Sequence, residues 1–308
     1  MQTSNKELRQ FMMRVIAALN HFEILAAIDM IREYLDSHAD AELKDALEQV
    51  SRTYKYMLHY LVEGQQDPGR NQLYSDLRED LYGIVRAIEF RDNLKDSSEL
   101  YYSTARLVRH KRLSIPQLIS EYDNIKDIML LNASNDDKAN ILKERDRILS
   151  DIFDTIWTLP PAESKRLGRL AGIAKERSDD FILLSTIVGA LTMGALKMYD
   201  RQKLITLLDI DEIADQRTGA RTLTGILLIL YRHANRLKDD YTLRLRFDTW
   251  TDNLLNYRRL REMLMVFIRT VGSLQLTQKI EKDIMPDIMK ASPEIMKKFN
   301  EKQGEMNI

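Results

Sequence analysis

The chain has 308 residues, 44% hydrophobic and 30% charged, which suffices for one large or two ordinary domains with a sizeable core and excludes an intrinsically disordered chain. Lys and Arg number 46 against 47 Asp and Glu, a formal charge of -1, so no global field draws the chain to nucleic acid or an anionic membrane. Cys is absent, which excludes disulfides, thiolate zinc sites and a cysteine nucleophile, and fits a reducing, cytoplasmic compartment.

Helix breakers are scarce, with 11 Gly and 6 Pro, which favours long helices over short strands joined by turns. The first helix is expected within MQTSNKELRQFMMRVIAALN, where Ser4 and Glu7 have capping-box spacing. This segment is not a secretory leader: Arg14 breaks its apolar run and no small-residue cleavage site follows. Leu43, Leu47, Val50, Tyr54, Met57 and Leu61 then recur at three- and four-residue steps on one helix face, with Gly64 as a C-terminal stop and QQDPGRN as a loop. Leu73, Leu77, Leu81, Ile84 and Ile88 repeat the pattern, and a shorter helix follows around ELYYSTARLVRHKRL. Ser114 caps the next helix, with Pro116 in its first turn, and Ser134 opens another carrying Ile141, Ile148, Ile152 and Ile156. No run of strict apolar and polar alternation occurs, so no sheet is predicted.

Leu159-Pro160-Pro161 is the clearest break, since adjacent prolines cannot continue a helix. It divides the chain into an N-terminal helical bundle, 1–158, and a helical-repeat-like region, 162–308; a tight turn between packed helices is the equal alternative. Phe181–Leu196, FILLSTIVGALTMGAL, is uncharged but shorter than the about 20 residues of a membrane span. Thr222–Tyr231 is shorter still and closed by Arg221 and Arg232. Both are predicted to be central helices covered on every side, with Ser185, Gly189, Ala190 and Gly194 allowing close helix approach. Gly189 and Gly225 lie 36 positions apart, within the period of helical repeats.

The stretch TGARTLTGILLILYRHANRL, together with the later DIMPDIMKASPEIMKKF, resembles the N-terminal helical region of long, uncharacterised bacterial proteins that carry tetratricopeptide-type repeats further along. The resemblance implies an interaction protein and supplies no site residue. The apolar tail agrees with it. Ile284, Ile288, Met289, Met296 and Phe299 stay apolar close to the end, where a terminal repeat turns a polar face outward, so they are the candidate protein-binding residues.

Motifs for catalysis are missing. His21, His38, His59, His110 and His233 are scattered, without H-E-x-x-H or Glu-x-x-His spacing. DIDEIADQ, Asp209–Gln216, fails as a calcium loop because Ala214 and Ala220 stand where Gly and Glu are required, and reads as a helix cap or linker. GALTMGAL lacks the lysine of a phosphate loop. No cofactor or metal is expected. One basic constellation remains: Tyr102, Arg106, Arg109 and Arg112 in YYSTARLVRHKR, the first three on one helix face, suited to pairing arginine with phosphate and stacking the ring on a base. A second cluster, Arg258, Arg259 and Arg261, is offset by Glu262. The expectation is an all-α protein of stacked antiparallel helical hairpins, a bundle followed by a solenoid-like second half. Its expected role is a non-enzymatic protein–protein interaction scaffold, with nucleic-acid or phosphate-ligand binding through the basic Tyr/Arg face as the alternative.

Overall fold

A computed structural model describes residues 2–38, 40–64, 68–131, 135–237 and 240–279. The described residues form helices and connecting turns, with no strand among them. The chain divides into two compact units, Met1–Asp252 and Asn253–Ile308. The expected break at Pro160-Pro161 lies within the first.

The first unit opens with α1 (Gln2–Asn20), α2 (Ile24–Ser37), α3 (Ala41–Val62) and α4 (Arg70–Asp96). Their apolar stripes face one another. Val15 and Leu19 of α1, Ile24, Ile28, Ile31 and Leu35 of α2, Leu43 and Leu47 of α3, and Leu77, Leu81 and Val85 of α4 close one core. Each such side chain, taken fully out of water, contributes about 1.5–3 kcal/mol. Gly64 has φ +76 just beyond α3 and its N–H reaches Leu61 O, the left-handed stop expected of it. α1 begins at Gln2, upstream of the expected capping box.

Next come α5 (Leu100–Lys111), α6 (Ile115–Leu130), α7 (Asn135–Trp157), a 3-10 segment (Pro161–Arg169), α8 (Leu170–Glu176), α9 (Phe181–Lys197), α10 (Arg201–Asp211), α11 (Gln216–Arg232), α12 (Ala234–Leu237) and α13 (Tyr241–Thr251). α7 packs between α6 and α9, α9 between α7 and α11, and α10 against both α9 and α11. α4 touches α1, α2 and α3 and also α5, α13 and the 3-10 segment.

Aspartate starts many of these helices. Asp40, Asp180, Asp200, Asp215 and Asp240 each sit at an N-cap and accept from the backbone N–H three residues on. Of the acidic stretch expected to be a helix cap or linker, Asp209–Asp211 end α10 and Asp215 caps α11. Asp180 and Asp240 are also buried, and their carboxylates are taken up twice more. Tyr122 Oη and Lys126 Nζ donate to Asp180 at 3.1 and 3.0 Å. Tyr199 Oη and Arg201 Nε donate to Asp240 at 2.7 and 2.8 Å. One carboxylate thus stops a helix from fraying and ties its start to a neighbouring element.

The predicted all-round burial of α9 and α11 needs correction. Ile182 and Met193 of α9 are each 48% exposed, and Leu228 and Tyr231 of α11 face solvent. Near the start of α11, Arg217 and Arg221 lay their guanidinium groups over the Phe181 ring at 4.1 and 5.0 Å. The most enclosed helix is α10, despite its charges: Lys203, Leu204, Thr206, Leu207, Leu208, Ile210 and Asp211 are all buried. Close approach of small residues is real at two places. A Cβ on Gly194 would stand 2.8 Å from Trp157 O, and one on Gly225 would overlap Thr192 Oγ1. At Gly189 the nearest neighbour, Phe153, is at an ordinary 3.6 Å.

The second unit contributes α14 (Leu254–Lys279), which carries Arg258, Arg259 and Arg261.

Candidate functional site

The apolar stripe of α3 outlasts its cover. Leu43, Leu47, Val50 and Met57 are buried, but the next position of the stripe, Leu61, is 46% exposed. α3, with 22 residues, is about 12 Å longer than its neighbour α2 at 1.5 Å per residue, and its other neighbour, α4, has 27 residues. In the last turns Leu58, Leu61 and Val62, along and beside the stripe, are exposed, while Tyr56 and Tyr60 are exposed on the other face of the helix. His59 Nε2 and Glu63 Oε1 lie 3.2 Å apart across one turn of the same end. Apolar and aromatic side chains concentrated in this way, with polar groups beside them, have the make-up of a protein contact surface.

The basic residues of α5 are placed differently from the expectation of an open face. Tyr102 is buried, edge-on to Tyr101 with ring centres 5.1 Å apart and with Lys197 Nζ 5.3 Å from its own ring centre. Burial raises its phenol above the usual range. Arg106 donates to Leu94 O at 3.0 Å and Ser97 O at 2.8 Å, closing the C-terminal end of α4. Arg109 pairs with Glu163 and lies 5.3 Å from the centre of the Phe90 ring. Arg112, exposed like Arg109, sits at the C-cap of α5 with φ 52. Tyr102, Arg106 and Arg109 do share a helix face, on which Tyr102 is buried, Arg106 is half-buried and Arg109 is exposed but ion-paired, while Leu100 and Leu107 also face solvent. No residue type signals this placement, because the acceptors of Arg106 are backbone carbonyls.

A buried cation lies where the proline break ends α7. Lys203 Nζ donates to Leu159 O at 2.8 Å and lies 3.4 Å from Trp157 O. Pro161 has no N–H to return to Trp157 O, and the N–H of Glu163 goes to Pro160 O rather than Leu159 O, so a side chain from α10 supplies the donor. Burial lowers the Lys203 ammonium to about 8, against the pull of Asp200, whose carboxylate is 3.9 Å away. Burial likewise raises Asp200, with Lys203 opposing. The pair is a structural clamp on the end of α7 rather than an open reactive site.

Ile284, Ile288, Met289, Met296 and Phe299 lie outside the described residues. Among the described residues no helix is long and apolar enough to cross a membrane, and no three His, Asp or Glu side chains are grouped to hold a metal ion. Comparison of the chain with protein-family models, with curated proteins and with solved structures finds no match.

Proposed function

We propose that the chain is a non-enzymatic, cytoplasmic scaffold that binds another protein through the overhanging end of α3. The observation that carries this reading is the exposure of Leu58, Leu61 and Val62 where the apolar stripe of α3 continues past its packed turns, with Tyr56 and Tyr60 exposed on the other face of the same end. Tyrosine in particular contributes strongly to contacts, since it buries a large area at small rotamer cost. A groove or amphipathic helix on the partner is the complementary shape. On the same reading the α9–α11 stack begins a solenoid-like series of hairpins of the kind found in helical-repeat proteins, and Ile284, Ile288, Met289, Met296 and Phe299 are further protein-binding residues by their sequence alone. The alternative, phosphate or nucleic acid held by Tyr102, Arg106, Arg109 and Arg112, has less support, since the first three are engaged within the fold.

The test is photo-cross-linking from Tyr60 in a nuclease-treated native extract, with Leu61→Asp in parallel. The reading expects one protein to be captured reproducibly and lost with Leu61→Asp. Capture that survives Leu61→Asp overturns the assignment to α3, and recovery abolished by nuclease transfers support to the basic residues.

A further inference from the structure

A polar recess of about 230 Å³ opens in the first unit among Arg86, Glu89, Tyr102, Lys197, Met198, Tyr199 and His233. Its two strongest groups come from one helix. Arg86 and Glu89 are three residues apart on α4, so they project from the same face within about one turn. Arg86 Nη1 donates to Tyr199 O, and no other described group accepts from this guanidinium. It lies beside the Tyr199 and Tyr82 rings, 5.2 and 5.9 Å from their centres, so its remaining N–H groups have a fixed direction. No described group donates to the Glu89 carboxylate. Burial raises Glu89 above the usual carboxylate range, with Arg86 and Lys197 opposing.

The rim adds matched polarity. His233 Nε2 lies 2.8 Å from Ala195 O. A carbonyl only accepts, so Nε2 carries the proton and Nδ1 is left as an acceptor. Burial lowers the His233 pKa, which keeps the ring neutral. Lys197 is paired with Glu99 at the edge.

We propose that this recess binds a small zwitterion bearing one carboxylate and one ammonium, the chemistry of a free α-amino acid. Arg86 takes the carboxylate through its unused N–H groups. Glu89 takes the ammonium, with His233 Nδ1 as a second acceptor. A phosphate or other simple anion meets Glu89, and a simple cation meets Arg86. Only a ligand of both signs satisfies the two together. The volume is below the about 300–1,000 Å³ of pockets for drug-sized molecules, which suits a single small metabolite.

The experiment is titration calorimetry of the full chain with each standard free α-amino acid, then with the N-acetyl and the carboxamide derivatives of the tightest, and with inorganic phosphate. The proposal expects saturable binding of at least one amino acid at millimolar concentration or below. It expects a loss of about tenfold or more for each capped derivative, and tighter binding of the amino acid than of phosphate. Glu89→Gln keeps the shape and is expected to weaken the amino acid about tenfold at an unchanged thermal midpoint. Absence of saturable binding across the series overturns the proposal. So does phosphate binding as tightly as the best amino acid, or an acetylated derivative that binds undiminished; these two comparisons use the unaltered chain and stand whether or not the variant folds.

Discussion

At Gly194 a neighbouring backbone leaves no room for a side chain, and Gly194→Ala tests this packing. In an open helix interior this change stabilises by about 0.5–1 kcal/mol, because Gly loses more backbone entropy on folding. Here the new methyl would overlap Lys203 Nζ and stand 2.8 Å from Trp157 O. Trp157 O is backbone and cannot turn away, so α9 must shift from α7, an overpacking cost of about 1–3 kcal/mol. Lys203 must also leave Leu159 O, which strands a buried ammonium and a carbonyl at about 1–3 kcal/mol more. The helix-propensity gain offsets only part of this, and the net expectation is a loss of roughly 2–4 kcal/mol. Urea denaturation followed by circular dichroism measures it from the midpoint at constant slope. A control is built into the fold: Gly83, inside α4, has nothing within 4 Å of the point where a methyl group would stand, so Gly83→Ala is expected to stabilise by about 0.5–1 kcal/mol. If Gly194→Ala is as stable as the parent chain, the account of Lys203 as a clamp on α7 is wrong.

Lys203→Met is expected to cost about 3–5 kcal/mol in the same assay, since it leaves Asp200 buried without its cation and removes the donor to Leu159 O. The clamp also predicts a pH dependence. Lys203 releases its proton at about 8 in the folded chain and at 10.5 in the unfolded one, so between these values the unfolded state binds more protons and stability rises with pH. The whole window corresponds to about 3 kcal/mol, and the tyrosines raised by burial do not titrate in either state below pH 9. Denaturation at pH 7.5 and 9 should show the parent chain gaining on Lys203→Met, and parallel pH profiles would contradict the assignment. Asp180→Ala should cost about 2–4 kcal/mol, because it removes an N-cap and leaves Tyr122 and Lys126 without their shared acceptor; Asp180→Asn, which still caps, should recover part of this. Arg106→Ala should lower the thermal midpoint by uncapping α4 and leave any residual affinity for single-stranded RNA, followed by fluorescence anisotropy, unchanged; a selective fall in RNA affinity at constant stability would restore the basic-face reading.

Residue order alone specifies the helices and much of their inward faces. Ile148, Ile152 and Ile156 of α7 and Leu77, Leu81, Ile84 and Ile88 of α4 are buried as their spacing requires, because a 3.6-residue period is a local property of the chain. Gly64 and Asp215 are legible for the same reason: a left-handed stop and an N-cap are decided within a few residues. Which helix lies at the centre is settled by long-range packing. α9 is the more apolar sequence, yet it exposes Ile182 and Met193, while charged α10 is enclosed because Lys203 finds its acceptors at the end of α7, 44 residues back in the chain. Packing also settles the candidate sites. α3 keeps its stripe to Leu61, and it is the packing of α2 and α4 on it that covers Leu43 to Met57 and leaves Leu61 exposed. Arg106 carries the same charge wherever it points, and the two carbonyls that it caps show in no residue type. Arg86 and Glu89 are legible as helical neighbours, but the recess needs Lys197 and His233, brought to them from α9 and the end of α11 by contacts that local sequence does not encode.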